Sequence, residues 1–325
     1  MTASADPASE TPRGALHGVS VGVPKGVSGG TPVLVSRLRR AGASTLTGTA
    51  DDAAAVGMFL NGLGVESSDP GRGLAGVDRR TVLAPSFGRV PKAGLPPVAY
   101  SLDRIAARAR TARDCALMLS ALAGHDAGDP CSIDVPVPDY PAALTGDLTG
   151  VRVGVARAGD TIGPDLRALG AETVPVELPL SAELAAAHRV ILGSELLAGQ
   201  LPALREGTAE HAAATRAVID GAASFSAADY VQAQRVRRVG QRAVAELFHD
   251  VDLIITPASH IPCWDVLGHP LLVVPMGSGA DGPPVGVLIS GRPFDEASVL
   301  RAGEALQSLA AWQPGKPDDS EPVAT

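Results

Sequence analysis

The sequence predicts an α/β fold in which a mixed β-sheet is covered by helices on both faces. Short apolar or alternating runs of strand length recur along the chain, and longer segments with apolar residues at helical spacing separate them. Helix-start signals precede several of these segments, such as Thr31 before Pro32, and Ser226 with Asp229 three residues later. Alternation of the two element types is typical of layered α/β domains.

The elements follow from these patterns in chain order. The predicted strands are residues 19–23, 44–47, 151–156, 173–178, 251–256, 271–275 and 285–289. The predicted helices are residues 31–40, 51–63, 101–124, 181–201, 226–248 and 295–311. Residues 65–80 contain three glycines and little apolar periodicity, which predicts a loop, and residues 129–141 contain four prolines, which predicts an extended connector.

Composition excludes several classes of function. The 325 residues carry a formal net charge of −8, which argues against a nucleic-acid-binding surface. The three cysteines, Cys115, Cys131 and Cys263, have no C-x-x-C spacing, so neither a disulfide framework nor a zinc site is expected. No phosphate-loop, dinucleotide-binding or H-E-x-x-H pattern occurs. The sequence therefore predicts neither a cofactor nor a metal.

The two ends of the chain differ in composition from the rest. Residues 1–14 and 313–325 are rich in proline and small or polar residues, and both are predicted to be disordered tails. The start lacks a basic segment followed by an apolar run, as a secretory signal would have. No run approaches the roughly 20 apolar residues of a membrane span. We therefore expect a cytoplasmic protein that does not bind membranes.

A series of motifs resembles the amidase-signature family, in the family's own order from about residue 18 to residue 309. Each motif is weak alone, but their order makes chance similarity very unlikely. They are G-V-S-V-G-V-P-K (18–25), D-P-G-R (69–72), S-F-G-R-V (86–90), S-L-D-R-I (101–105), T-A-R-D-C-A-L-M-L (111–119), D-V-P-V-P-D-Y-P-A-A-L (134–144), V-D-L-I-I-T-P (251–257) and P-P-V-G-V-L-I-S-G-R-P-F-D-E (283–296).

The resemblance implies an amidase-like layered α/β fold, here a single domain over residues 15–312. Members of that family hydrolyse amide C–N bonds with a nucleophilic serine, a second serine and a lysine, beside a glycine-rich loop that stabilises the oxyanion. Such a nucleophile is activated by a base within hydrogen-bond reach.

The segment that carries the two serines in the family is missing from this sequence. Only residues 73–81 separate the D-P-G-R-like loop from Val82, and none of them is serine. With this segment the nucleophile, the second serine and the oxyanion loop are lost. The second half is also shortened, since only residues 258–270 remain where relatives carry a longer substrate-pocket loop. We therefore expect a fold that is trimmed around the active site.

The catalytic lysine is displaced as well. The family's lysine position falls on Pro24, and Lys25 comes one residue later. A slip of one residue in a strand turns a side chain to the opposite face. Lys25 and Ser28, in the small Ser28-Gly29-Gly30 loop, are nevertheless the weak candidates for a substitute catalytic pair. Ser67-Ser68 is a further tempting pair, but it lacks flanking glycines.

Four polar residues crowd the shortened loop of the second half and are weak candidates for substrate binding. They are His260, Cys263, Asp265 and His269. Their spacing matches no known pattern of metal ligands. We interpret Cys263 and His269 as packed or turn residues.

The sequence therefore predicts an amidase homologue without the family's Ser–Ser–Lys hydrolysis. It would act as a non-hydrolytic partner subunit, or as a repurposed small-molecule-binding or biosynthetic protein, with a protein partner, a second copy or an amide-like ligand. The alternative is an active C–N hydrolase or acyl-transfer enzyme that uses substitute residues such as Lys25 and Ser28. A third hypothesis is a degraded remnant with no function.

Overall fold

The computed structural model describes most of the chain between residues 16 and 309. The described residues are 16–17, 20–23, 33–47, 54–59, 80–95, 97–156, 162–207, 213–278 and 284–309. None of the helices in these ranges combines the length and the apolar run that crossing a bilayer requires.

Ten strands and eight α-helices are found in the described ranges. The strands are β1 Ser20–Val23, β2 Ser44–Thr47, β3 Ala54–Phe59, β4 Thr81–Ala84, β5 Arg104–Ala109, β6 Arg152–Ala156, β7 Glu172–Val176, β8 Leu253–Pro257, β9 Leu271–Ser278 and β10 Pro284–Gly291. The helices are α1 Val33–Arg40, α2 Ala112–Leu122, α3 Gly163–Ala168, α4 Ser181–Glu206, α5 Ala213–Ala222, α6 Ala227–Asp250, α7 Ile261–Leu267 and α8 Glu296–Gln307.

The strands form one mixed sheet in the order β2-β1-β3-β5-β4-β9-β10-β8-β6-β7. The pairs β1–β2, β1–β3, β6–β7 and β6–β8 are parallel, and the pairs in the centre of the sheet are antiparallel. The predicted mixed sheet is confirmed.

Helices cover both faces of this sheet, and strand β9 shows how the two cores are separated. Its Leu272 and Val274 pack into a core with α1, α2, α3 and α8, whereas Leu271 and Val273 pack into a second core with α4, α6 and α7. Successive side chains of a strand point to opposite faces. The continuous apolar run of β9 therefore serves two cores.

Most predicted elements are confirmed within a few residues. The predicted strands correspond to β1, β2, β6, β7, β8, β9 and β10, and the predicted helices 31–40, 181–201, 226–248 and 295–311 correspond to α1, α4, α6 and α8. Residues 129–141 contain no regular element except the start of a short 3-10 turn at Pro141. The division of the chain into two tails and one domain stays a prediction.

The helix predicted at residues 51–63 is wrong. Its described part is strand β3, which pairs in parallel with β1 and antiparallel with β5. The alanine-rich sequence favours a helix locally, because alanine has the highest helix propensity. Pairing on both sides within the sheet outweighs this preference.

The single long helix predicted at residues 101–124 is also wrong. Its first part is strand β5, and helix α2 begins only after Thr111. Thr111 and Asp114 form a capping box, in which each side chain accepts a hydrogen bond from the other's backbone N–H. The prediction missed this start signal, and it also missed strand β4 and helices α3, α5 and α7.

Candidate functional site at one edge of the sheet

β1, the strand that precedes Lys25 in the chain, finishes at the end of the sheet where strand β5 begins. β1 and β3 are parallel, and Phe59, the last residue of β3, pairs with Arg104, the first residue of β5. Lys25, Ser28 and residues 60–79, which include most of the shortened 73–81 bridge, lie outside the described residues. Arg104 therefore lies at the same end of the sheet as the end of β1, the strand that precedes Lys25 in the chain.

A buried ionic cluster lies at this edge. The guanidinium of Arg104 forms an ion pair with Asp265, and both side chains are almost completely buried. Nε2 of His188, on α4, lies 2.8 Å from the other carboxylate oxygen of Asp265. Arg104 also donates to the carbonyl of His269 at 2.6 Å. The cluster thus joins β5, α4, α7 and the segment before β9.

Asp265 is held in its charged form. Burial would raise the pKa of this carboxyl, but the charge of Arg104 and the hydrogen bond from His188 outweigh burial and lower the pKa below its ordinary value. A buried carboxylate matched in this way is a stable structural anchor. Its negative charge is already neutralised by Arg104, which makes it a weak base for catalysis.

Two of the motifs that carry the family resemblance interlock on the other side of the sheet. Arg89 Nε donates to Glu296 at 3.2 Å, and the backbone N–H of Ser86 donates to the second oxygen of the same carboxylate at 2.9 Å. The hydroxyl of Ser86 accepts a hydrogen bond from the N–H of Phe294 at 2.7 Å. Phe294 has a φ of 67°, which is unusual for a residue with a side chain. The interlock therefore holds a strained turn.

Ser101 belongs to a second polar network and not to a nucleophile pair. Its hydroxyl donates to Glu195 at 2.6 Å, and Arg237 donates to the hydroxyl oxygen at 3.2 Å. The phenol of Tyr230 donates to the same carboxylate oxygen at 2.7 Å. The backbone N–H of Ser101 donates to the other oxygen of Glu195 at 2.8 Å, so this carboxylate accepts three hydrogen bonds. The network ties the segment before β5 to helices α4 and α6.

Lys92 is the single lysine within the described ranges, and it is bound to backbone. Its Nζ donates to the carbonyl of Tyr100 at 2.6 Å and lies 3.4 Å from the carbonyl of Asp103. The ammonium also lies 4.8 Å and 4.5 Å from the ring centroids of Phe87 and Tyr100. An ammonium group is attracted electrostatically to the face of an aromatic ring at such distances. Lys92 is thus a structural cation.

The four weak candidates of the shortened loop lie on α7 and around it. Asp265 joins the ionic cluster, and the thiol of Cys263 donates to the carbonyl of Ser181 at 3.2 Å. Burial lowers the pKa of both histidines, that of His269 to about 4. No group of metal-ligating side chains occurs among the described residues. A role of these four residues in substrate binding stays a prediction.

The two buried thiols are poor nucleophiles. Burial raises the pKa of Cys263 to about 11 and that of Cys115 further still. Since the thiolate is the nucleophilic form, both of these cysteines are inert at neutral pH.

Comparison with known proteins agrees with the motifs. The sequence profile of the Amidase family matches residues 81–265. An amidase of Pseudomonas putida is 34% identical over 275 residues, covering 72% of this chain and 59% of the relative. The chain belongs to the amidase-signature family. A glutamyl-tRNA(Gln) amidotransferase subunit of Chloroflexus aggregans is 33% identical over 325 residues, covering 82% of this chain and 66% of the relative.

Solved structures share the fold of this amidase-signature chain. A protein of a vestigial complex related to the origin of an s-triazine catabolic enzyme superposes with a TM-score of 0.80 at 23% identity, covering 93% of this chain and 86% of that one. The peptide amidase of Stenotrophomonas maltophilia superposes with a TM-score of 0.71 at 23% identity, covering 94% and 85%.

The alignments are consistent with a missing segment. The chain spans 59% and 66% of the length of the two curated relatives. The alignment to the Chloroflexus protein runs over 325 positions although it covers only 82% of a 325-residue chain, so the relative carries dozens of residues without a counterpart here. The family profile begins to match at residue 81, where the sequence motifs resume after the shortened bridge.

The sequence patterns did not indicate the buried and half-buried polar residues around the site. His188, Glu195 and Arg237 lie within long helices, where a polar residue is usually solvated. Their partners are far away in the chain. Only their placement on a helix stripe that also carries buried apolar residues could have indicated their burial.

Proposed function

We propose that this amidase-family protein does not hydrolyse amides by the Ser–Ser–Lys route of its family and acts as a non-hydrolytic subunit or binding protein. The observation that carries the proposal is the bridge at residues 73–81, which contains no serine. Loss of nucleophile, relay and oxyanion donors together removes the covalent route. Even mutants that lack only the nucleophile keep just a residual rate, and that rate depends on an intact oxyanion hole.

The described polar side chains support this proposal. Ser86 and Ser101 are engaged with Phe294 and Glu195, and Lys92 donates to backbone carbonyls. A serine nucleophile needs a base within hydrogen-bond reach. These groups hold the scaffold together, and the scaffold is the part of the family that the chain retains.

A role as a subunit is favoured by the surface of the helical layer formed by α4, α5 and α6. Most of the large apolar side chains exposed in the described residues lie on or beside these helices, among them Leu201, Leu204, Val231 and Val239. Exposed apolar groups that cluster on one layer are typical of interaction surfaces. The Chloroflexus relative is by name a subunit of an amidotransferase.

The subunit role can be tested by light scattering on the protein purified from its native source. We expect a complex with a second chain at fixed stoichiometry. Val239→Lys should dissociate it, whereas Arg238→Lys, at the neighbouring exposed position, should not. A monomer, or a complex insensitive to Val239→Lys, would contradict this surface.

The second candidate is an active hydrolase with a substitute pair, for which Lys25 and Ser28 are the named residues. The observation in its favour is their position shortly after β1, which ends at the edge where the family's lysine is expected.

Covalent labelling separates the two candidates. The full-length protein is incubated with a fluorophosphonate probe, and its intact mass is measured. We expect no adduct. An adduct that Ser28→Ala removes, and that the exposed control Ser224→Ala leaves in place, would establish the substitute enzyme.

A further inference from the structure

A separate cavity of about 350 Å³ opens between α6, α7 and the turn after β10. Its walls are largely apolar, and it lies within the lower range of small-ligand sites. The lining residues belong neither to the segment after β1 nor to the one after β3. The lining side chains are Gln241, Ala245, Phe248, His249, Leu267, His269, Arg292 and Pro293.

His269 is the buried polar group of this cavity. The residue is only 4% exposed. Its Nδ1 lies 2.9 Å from the carbonyl oxygen of Gly291, and because a carbonyl can only accept, Nδ1 must carry the proton. Nε2 is then the acceptor of the ring.

Nε2 of His269 has no hydrogen-bond partner within the part of the chain that the structure describes, and it is not fully enclosed. The ring is fixed by stacking on Phe248 at 5.6 Å between centroids and by contact with Trp264 at 5.6 Å. Burial, with the nearby charge of Arg104, lowers the pKa of His269 to about 4, so the imidazole is neutral at physiological pH. The cavity therefore offers one fixed, uncharged acceptor.

The positive charge of Arg292, at the rim of the cavity, is already paired with other groups of the protein. Arg292 donates to the carbonyl of Val251 at 2.9 Å and also to that of Phe248, and it pairs with Asp252 at 3.3 Å. Its guanidinium thus neutralises the negative end of helix α6. Gln241 donates to the carbonyl of Leu267 at 3.2 Å. An anionic ligand would find no unmatched cation among these groups.

We infer that this cavity binds a small, neutral aromatic molecule that donates one hydrogen bond, from an O–H or N–H group, to Nε2 of His269. The apolar walls accept the ring, and the single acceptor selects the donor. This inference does not depend on the loss of hydrolysis, because binding is measured without turnover.

The test uses phenol, toluene and benzoate, with binding followed by ligand-observed NMR on the full-length protein. Phenol should bind saturably and more tightly than benzoate. His269→Phe keeps an aromatic ring but removes the acceptor, so the preference for phenol relative to toluene should fall about fivefold. An unchanged preference, or tighter binding of benzoate, would overturn the inference.

A second variant keeps the test decisive if His269→Phe does not fold. Ala245 lies on the exposed side of α6 and lines the cavity, so Ala245→Leu should fill it without disturbing the helix. We expect phenol to bind about tenfold more weakly. Ala228→Leu, exposed on the same helix outside the cavity, should bind phenol as the wild type does. Equal binding by Ala245→Leu would also overturn the inference.

Discussion

Glu296 joins two segments that lie far apart in the chain. Its carboxylate is completely buried and accepts from Arg89, itself 2% exposed, and from the backbone N–H of Ser86. Buried pairs of this kind contribute modestly as pairs, but removing one partner leaves an unmatched charge. The motifs S-F-G-R-V and F-D-E therefore act in this protein as a structural clamp.

We predict that Glu296→Gln lowers the free energy of unfolding by about 3–5 kcal/mol, because the charge of Arg89 is left buried without its counter-ion. Urea unfolding followed by circular dichroism measures this change. Glu172→Gln is the matched control, since Glu172 forms an exposed pair with Arg152 at 3.5 Å and should change stability little. Equal effects of the two substitutions would show that the clamp does not stabilise the fold.

The Asp265 cluster predicts a dependence on pH. Because the pKa of Asp265 is lower in the folded protein, its ion pair stabilises the fold above the ordinary carboxyl pKa of about 3.9, and this stability is lost as the pH falls through the lower folded value. Asp265→Asn should therefore destabilise the protein at neutral pH, and the difference from the wild type should narrow below about pH 4. Unfolding at several pH values measures this. A difference that stays constant down to pH 2 would contradict the proposed role of the ion pair.

Single elements depend on local signals that tertiary pairing can override. Helix α6 begins at a capping box between Ser226 and Asp229, in which the Ser226 hydroxyl accepts from the Asp229 N–H at 3.2 Å. This signal is local, and the sequence predicted it.

We predict that Ser226→Ala lowers the free energy of unfolding by about 1 kcal/mol, because the first turn of α6 loses its cap. The melting temperature measures the change. Ser224→Ala, two residues earlier and exposed, should have little effect, since its hydroxyl contacts only the carbonyl of Gly221. A larger effect at Ser224 would mean that the capping box does not stabilise α6.

The two strands that the sequence predicted as helices share one physical cause. In β3 and β5 the local sequence is rich in alanine and favours a helix, while the strand pairing comes from residues distant in the chain. Periodic apolar runs such as β8 and β9 were predicted correctly because their signal is local. The sequence singled out Asp265 as a weak candidate for substrate binding, but it did not predict the pairing of Asp265 with Arg104, because the two residues are 161 positions apart.

In the molecule as a whole, the parts of the family fold that this chain has shortened and the parts that it retains lie in different regions. Both shortened regions, the 73–81 bridge and the 258–270 loop, flank the place where the resemblance puts the family's active site, whereas the ten-stranded sheet and its two cores superpose on solved relatives. Random loss of sequence would not be expected to remove residues around the active site and leave the scaffold intact. The proposed change of role predicts this pattern.

Ammonia release from simple primary amides tests the loss of hydrolysis most directly. With acetamide and benzamide we predict no release above the uncatalysed rate, for the wild type and for Lys25→Ala alike. Turnover by the wild type that Lys25→Ala abolishes, and that Lys316→Ala preserves, would contradict the loss of hydrolysis and reveal a rebuilt enzyme.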